Sequence, residues 1–224
     1  MSNRVLRILL LLVFVVLAGC ASLPASVEKP VSQARTDVAD TRLAAIASAS
    51  VDAQDAHLSG LRLLPAGDQA FEARIALVRA AEKSIDAQYY QVADDASGRQ
   101  FLRELRNAAD RGVRVRVLVD DLHAAGQDAL LAGFAAHPGI EVRMFNPLAM
   151  RDGSVGRRVF FSMNEFSRIN RRMHNKLLIA DGSFAVTGGR NIADEYFDRG
   201  YANFVDVDLL STGPVVATLG AAGC

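Results

Sequence analysis

The stretch Met173-His174-Asn175-Lys176-Leu177-Leu178-Ile179-Ala180-Asp181-Gly182-Ser183-Phe184-Ala185-Val186-Thr187-Gly188-Gly189-Arg190-Asn191 decides how the rest of this 224-residue chain is read. Met173 to Ala180 has the apolar content of a strand, Asp181-Gly182 is a strong two-residue turn signal, and Phe184 to Thr187 returns, so the segment reads as a hairpin. Alternation of side chains along a strand places His174 and Lys176 on one face, ~7 Å apart, where both can meet a single phosphate. Gly188 and Gly189 carry no side chains where the returning strand ends, which allows backbone N–H groups to approach an anion. Asn191 lies just beyond as a further donor. The spacing H-x-K-x4-D-x6-G-G-x-N occurs once, and its six fixed positions would coincide by chance in only about a few chains per million.

Working outward, strand and helix signals alternate. Leu61–Leu64, Ser84–Val92, Val113–Val119 and Glu141–Phe145 read as strands. Helical spacing covers Asp68–Lys83, about Ser97 to Arg111, and Asp128–Ala136. A last strand is expected over Tyr201–Leu210, with Asp206 and Asp208 on one face, and Pro214 opens a short helix. This order implies an α/β fold: a mixed β-sheet flanked by helices on both faces.

The hairpin motif resembles the signature of the phospholipase D superfamily, whose enzymes bring two such motifs together across one active site. Further phrases are similar to the cardiolipin-synthase branch: Leu63-Leu64-Pro65 with Phe71 and Arg74, Ser84 to Tyr90, Arg111 to Asp121, Asn170 to Lys176, and Gly188 to Phe197. They cover about residues 60–220. The resemblance implies a phosphohistidine formed on His174, Lys176 and Asn191 holding the phosphoryl oxygens with the Gly188-Gly189 amides, and a phospholipid substrate. It also implies a carboxylate that fixes the His174 tautomer; Asp206 and Asp208 are the candidates, with Asp208 preferred. Asp181 falls in the turn and reads as structural. The proton for the leaving alcohol is expected from a second motif's histidine, which His57, His123 and His137 do not recreate, since none has lysine two residues on. As lone histidines they read as surface or core residues, and Asp120-Asp121 as a ligand-binding loop or a cap. The phosphohistidine route calls for no cofactor, and no metal-ligand spacing is present.

Because one motif is present, the chain matches half of such an enzyme. It is expected to be a truncated product with a missing second half, the alternative being that it pairs with a copy of itself. The alternatives are a homodimeric secreted nuclease and an inactive membrane-tethered half-domain.

Composition bounds the rest. Half the residues are hydrophobic and lysine plus arginine equal aspartate plus glutamate at 25 each, which suits one core and gives no global field for nucleic acid. Arg4 and Arg7 precede the apolar run Ile8–Ala18, too short to span a bilayer comfortably, and Leu17-Ala18-Gly19-Cys20 resembles a bacterial lipobox. Residues 1–19 are therefore expected to be a lipoprotein signal peptide, with an uncleaved anchor as the alternative. The lipobox resemblance implies that Cys20 becomes the lipidated first residue, outside the cytoplasm, and that Ala21, by not being aspartate, leaves it sorted to a bacterial outer membrane facing the periplasm. Cleavage would leave 23 basic and 25 acidic side chains, a net of −2. Residues 20–58 read as a tether, flexible over 21–36, and a surface helix over about Asp37–His57; 59–224 form the domain. Arg157-Arg158-Val159-Phe160-Phe161, basic then aromatic, suits a membrane surface or an ordinary loop.

Overall fold

The computed structural model describes Leu23 and residues 30–221, apart from 125, 151 and 152. Seven strands form one mixed sheet: β1 (Gly60–Leu64), β2 (Ser84–Tyr89), β3 (Arg114–Asp120), β4 (Ile140–Phe145), β5 (Lys176–Ala180), β6 (Phe184–Gly188) and β7 (Asp208–Thr212), in the order β1-β7-β6-β5-β2-β3-β4. β2, β3 and β4 run parallel, and β5 returns antiparallel beside β2. Among the described residues seven α-helices accompany them: α1 (Arg42–Ala49), α2 (Gly67–Ala80), α3 (Ala96–Asp110), α4 (Asp128–Ala135), α5 (Val155–Phe161), α6 (Phe166–Ile169) and α7 (Pro214–Ala221).

β2 is buried along its whole length because it lies between β3 and β5 and is covered on both faces. On one face Ile85, Ala87, Val115, Val117, Leu178 and Val186 meet Phe71, Ile75 and Val78 of α2 and Phe101 and Leu105 of α3. The α3 stripe follows helical spacing, and Asp95 caps the helix by accepting from the Gly98 N–H at 2.8 Å. Burying each of these aliphatic or aromatic side chains contributes roughly 1.5–3 kcal/mol.

The opposite face is thinner. Leu177, Ile179 and Ala185 pack on Val216 of α7, and beside them Arg116 and Asp86 form a buried ion pair at 2.5 Å. Ser32 covers that pair, bonding Arg116 at 3.2 Å and Glu141 at 2.8 Å, while Arg143 and Arg114 reach the carbonyls of Pro30 and Gln33. Residues 30–36, expected as part of a flexible tether, are therefore docked on the sheet. α1 also joins the main core through Leu43, and is shorter than the expected Asp37–His57 helix.

Two other expectations are corrected. The last strand starts at Asp208 rather than Tyr201, because its partners stop there: Asp208 pairs with Leu64 of β1 and Gly188 of β6, and residues upstream have no strand beside them. Arg158 is not presented to a surface; it is fully buried against Asp121 at 2.8 Å.

Candidate functional site

The hairpin places the motif at one edge of the sheet. β5 begins at Lys176 opposite Tyr89, the last residue of β2, and β6 ends at Gly188 opposite Asp208, the first residue of β7. The carboxyl ends of β2 and β3 open at the same edge, where open α/β sheets present ligand sites. The turn is Asp181-Gly182-Ser183, with Asp181 and Gly182 at φ 47° and 57° and the Ser183 N–H donating to the Ala180 carbonyl at 3.0 Å. The buried Asp181 carboxylate accepts from the backbone N–H groups of Glu82, Lys83 and Ser84 at 2.8–2.9 Å, tying the turn to the start of β2.

His174 is exposed and Lys176 is 5% exposed. The Lys176 ammonium donates to Nδ1 of His174 and to the His174 carbonyl, each at 3.0 Å. An ammonium has no acceptor, so Nδ1 presents its lone pair in this contact. Burial pulls the Lys176 pKa below its ordinary value, and the charge of Asp206 opposes the fall. Its ammonium is thus half-stripped of water and retains unspent affinity for an anion.

Asn191 lies 2% exposed at the end of β2. Its Oδ1 accepts from the Gln91 N–H at 3.2 Å and its Nδ2 donates to the Tyr196 hydroxyl at 3.0 Å. The glycines are explained differently from the expectation. A Cβ at Gly188 would fall 2.1 Å from Oδ1 of Asp208, and one at Gly189 2.0 Å from Oδ1 of Asp206. The Gly189 N–H is already given to the Val207 carbonyl at 3.3 Å. Side chains are absent there to admit two carboxylates, rather than to open an amide cradle.

Those carboxylates differ. Asp208 is fully buried, 3.0 Å from Arg74 and 3.6 Å from Arg190, and accepts from the Arg190 N–H. It forms no hydrogen bond with His174 among the described residues. Its commitment to two arginines makes it structural and corrects the preference for it as the residue that orients His174. Asp206, partly exposed against Gly189, is the carboxylate whose charge reaches Lys176.

Two further residues, Tyr90 and His123, complete the site without a motif of their own, and Asp120 supports it from behind. Tyr90 follows β2, and its ring lies 4.7 Å from the His174 ring, 4.6 Å from the His123 ring and 5.1 Å from the Lys176 ammonium, centroid distances in each case for the ring. His123, on the short 3₁₀ turn after β3, enters the site because β3 lies beside β2. Asp120, at the end of β3, holds the approach to the motif by accepting from Met173 N–H and Arg172 at 2.9 Å. Asp120 and Asp121 are both buried and anchor loops instead of facing a ligand. His57 and His137 lie elsewhere; His137 pairs with Asp110 at 3.1 Å. No group of three or more His, Cys, Asp or Glu suited to a metal ion occurs among the described residues.

A mixed sheet with one His-x-Lys motif leading into β5 at its ligand edge defines a phospholipase D-like half-domain. A family model described as "Cardiolipin synthase, PLD-like domain" matches residues 75–209, and the chain belongs to this family. It is 46% identical over 158 residues to cardiolipin synthase C of Escherichia coli, covering 70% of this chain and 33% of that protein. With cardiolipin synthase A of Pseudomonas fluorescens it shares 32% identity over 161 residues, covering 71% and 31%. The chain thus spans about a third of the length of the curated relatives it matches. Its fold is that of NucT from Helicobacter pylori, with a TM-score of 0.52 at 16% identity over 72% of this chain and 90% of that one. Phosphatidylserine synthase from Haemophilus influenzae superposes with a TM-score of 0.51 at 18% identity, covering 71% of this chain and 34% of that one.

Proposed function

We propose that this chain supplies one half of a phospholipase D-type site that moves a phosphatidyl group through a phosphohistidine. The observation that carries the reading is the 3.0 Å approach of the Lys176 ammonium to Nδ1 of an exposed His174. A phosphoryl group entering there would meet an imidazole lone pair and a poorly hydrated cation together. The Lys176 ammonium moves from Nδ1 to the phosphoryl oxygens, the Nδ1 lone pair it releases attacks phosphorus, the N–P bond forms, and the P–O bond to the leaving alcohol breaks. Lys176 holds the non-bridging oxygens as charge builds on them. The alcohol leaves with a proton from an acid on a second half, either another segment or a second copy. Attack by water or by a lipid hydroxyl then breaks the N–P bond, giving hydrolysis or transfer. A phospholipid is the substrate class the cardiolipin synthase relatives favour, and the balance of 25 basic and 25 acidic residues gives no support to nucleic acid.

Cys20, outside the described residues, is proposed to carry the lipid that holds the domain at a bacterial outer membrane facing the periplasm. No helix among the described residues is long and apolar enough to cross a membrane. The mass of the N-terminal peptide isolated from membranes tests this: a diacylglycerol adduct on Cys20 supports it, and an unmodified Met1 peptide overturns it.

The chemistry is tested with a substrate that needs no acid. Phosphatidyl-p-nitrophenol loses a stable phenolate, so one half-site is sufficient for the first step. The expected result is a burst of p-nitrophenolate approaching one equivalent per chain, absent in His174→Ala. Equal release by both proteins would overturn the reading.

A further inference from the structure

Tyr90 is the one side chain among the described residues whose ring is approached by His174, Lys176 and His123 together. Its backbone is fixed independently of that ring, the Tyr90 N–H donating to the Asn175 carbonyl at 3.0 Å between the two motif residues. The ring is tilted 48° to His174 and sits below the Lys176 ammonium at cation–π distance. Lys176 is a long, flexible side chain, and holding its ammonium against Nδ1 costs it rotamer freedom. An aromatic face in contact with both partners reduces the arrangements open to them.

His123 contacts the same ring edge-on, at an interplanar angle of 72°. Neither of its ring nitrogens has a hydrogen-bond partner among the described residues, so the imidazole serves as a packing surface. Burial, with the charges of His174 and Lys176 acting the same way and Asp120 against, holds its pKa below the ordinary histidine value. At neutral pH it packs as an uncharged ring.

We propose that Tyr90 is the positioning residue for this site: its ring, braced by His123, holds Lys176 on Nδ1 of His174. The assignment rests on reading His174 as nucleophile and Lys176 as phosphate clamp, and adds a group that acts on both without touching the reacting atoms. It also gives His123 a role that the spacing of the motif does not, as a brace rather than as a second catalytic histidine.

The test uses imidazole ¹⁵N NMR of the whole chain at neutral pH, where the two nitrogens of His174 report the tautomer. In the native protein and in Tyr90→Phe, Nδ1 is expected to remain unprotonated. In Tyr90→Leu, the two tautomers should mix, with the thermal midpoint within a few degrees of native, and His123→Ala should give a smaller change in the same direction. The burst with phosphatidyl-p-nitrophenol should slow about tenfold in Tyr90→Leu and be restored in Tyr90→Phe, as loss and rescue of a cation–π contact require. An unchanged tautomer in Tyr90→Leu overturns the inference, and so does loss of the fixed tautomer in Tyr90→Phe, which would assign the role to the hydroxyl. If the tautomers respond as expected but the native chain shows no burst, the positioning stands and the proposed chemistry falls.

Discussion

The β5–β6 hairpin and the carboxyl ends of β2 and β3 build the same site in opposite ways. The hairpin carries Lys176 as the first residue of β5 and His174 two residues before it, so the chain itself brings them within reach of each other. Tyr90 and His123 are 33 residues apart in sequence and meet only because β2 and β3 pair in parallel and end at the same edge. The first pair is adjacent wherever β5 forms, and the Tyr90 ring holds the contact between its side chains; the second pair depends on the whole sheet. The motif supplies chemistry, and the scaffold supplies its surroundings.

The largest expected effect that sharpens this contrast comes from the scaffold. Asp208→Asn leaves Arg74 fully buried without its 3.0 Å partner, and loss of one member of a buried pair costs about 3–5 kcal/mol. Chemical denaturation should show that loss. Asp206→Asn, at the exposed end of the same segment, should leave the denaturation midpoint almost unchanged and alter only the site, through the carboxylate that faces Lys176. If the two variants exchange these phenotypes, the assignment of the carboxylates is wrong.

Lys176→Met comes next. Removing a phosphate donor should slow the p-nitrophenolate burst about 10²–10³-fold, by analogy with loss of one oxyanion donor. Stability should move the other way. Burial lowers the Lys176 pKa, so the charged form is disfavoured by folding, and native stability rises as pH climbs through that lowered value towards the ordinary one. The methionine variant removes this dependence, and its thermal midpoint at neutral pH should equal or exceed the native one.

Asp181→Ala tests the hairpin's attachment. Three backbone N–H groups at the start of β2 lose their acceptor, an expected cost of about 1–3 kcal/mol measured by urea denaturation, with slower burst kinetics only as the site loosens. The smallest effect belongs to His123. Its folded pKa lies below the ordinary ~6.5, so the stability it contributes is present above that value and lost as pH falls through the folded pKa. His123→Gln should flatten the pH dependence of stability on the acid side of 6.5; an identical curve would place His123 outside the charged neighbourhood of Lys176 and His174.

The contrast also explains what could be read from the sequence. Alternation and turn chemistry are local, and they suffice for β2, β3, the hairpin and α3, whose Phe101, Leu102 and Leu105 stripe is visible at helical spacing. The motif residues follow from their two-residue spacing, although β5 starts at Lys176 and not at Met173, so His174 enters from the segment before the strand and is joined to Lys176 by side-chain contact. Asp206 and Asp208 share that spacing, but only β7's pairing limits show that the strand begins between them and sends Asp208 into the core with Arg74. Residues 30–36 resemble a linker in composition, and their docking depends on Arg116, Glu141 and Arg143, more than 80 residues away in sequence. His123 offers no local signal at all; a lone histidine is drawn into a site only by the order of strands.

The central claim is that His174, and not another imidazole at this edge, takes the phosphoryl group. The direct measurement is to react the chain with phosphatidyl-p-nitrophenol, quench at alkaline pH, where a phosphohistidine survives, and map the adduct by peptide mass. A phosphatidyl adduct on the peptide bearing His174, absent in His174→Ala, is the expected result; an adduct on His123, or release of p-nitrophenolate with no adduct on any histidine, would contradict it.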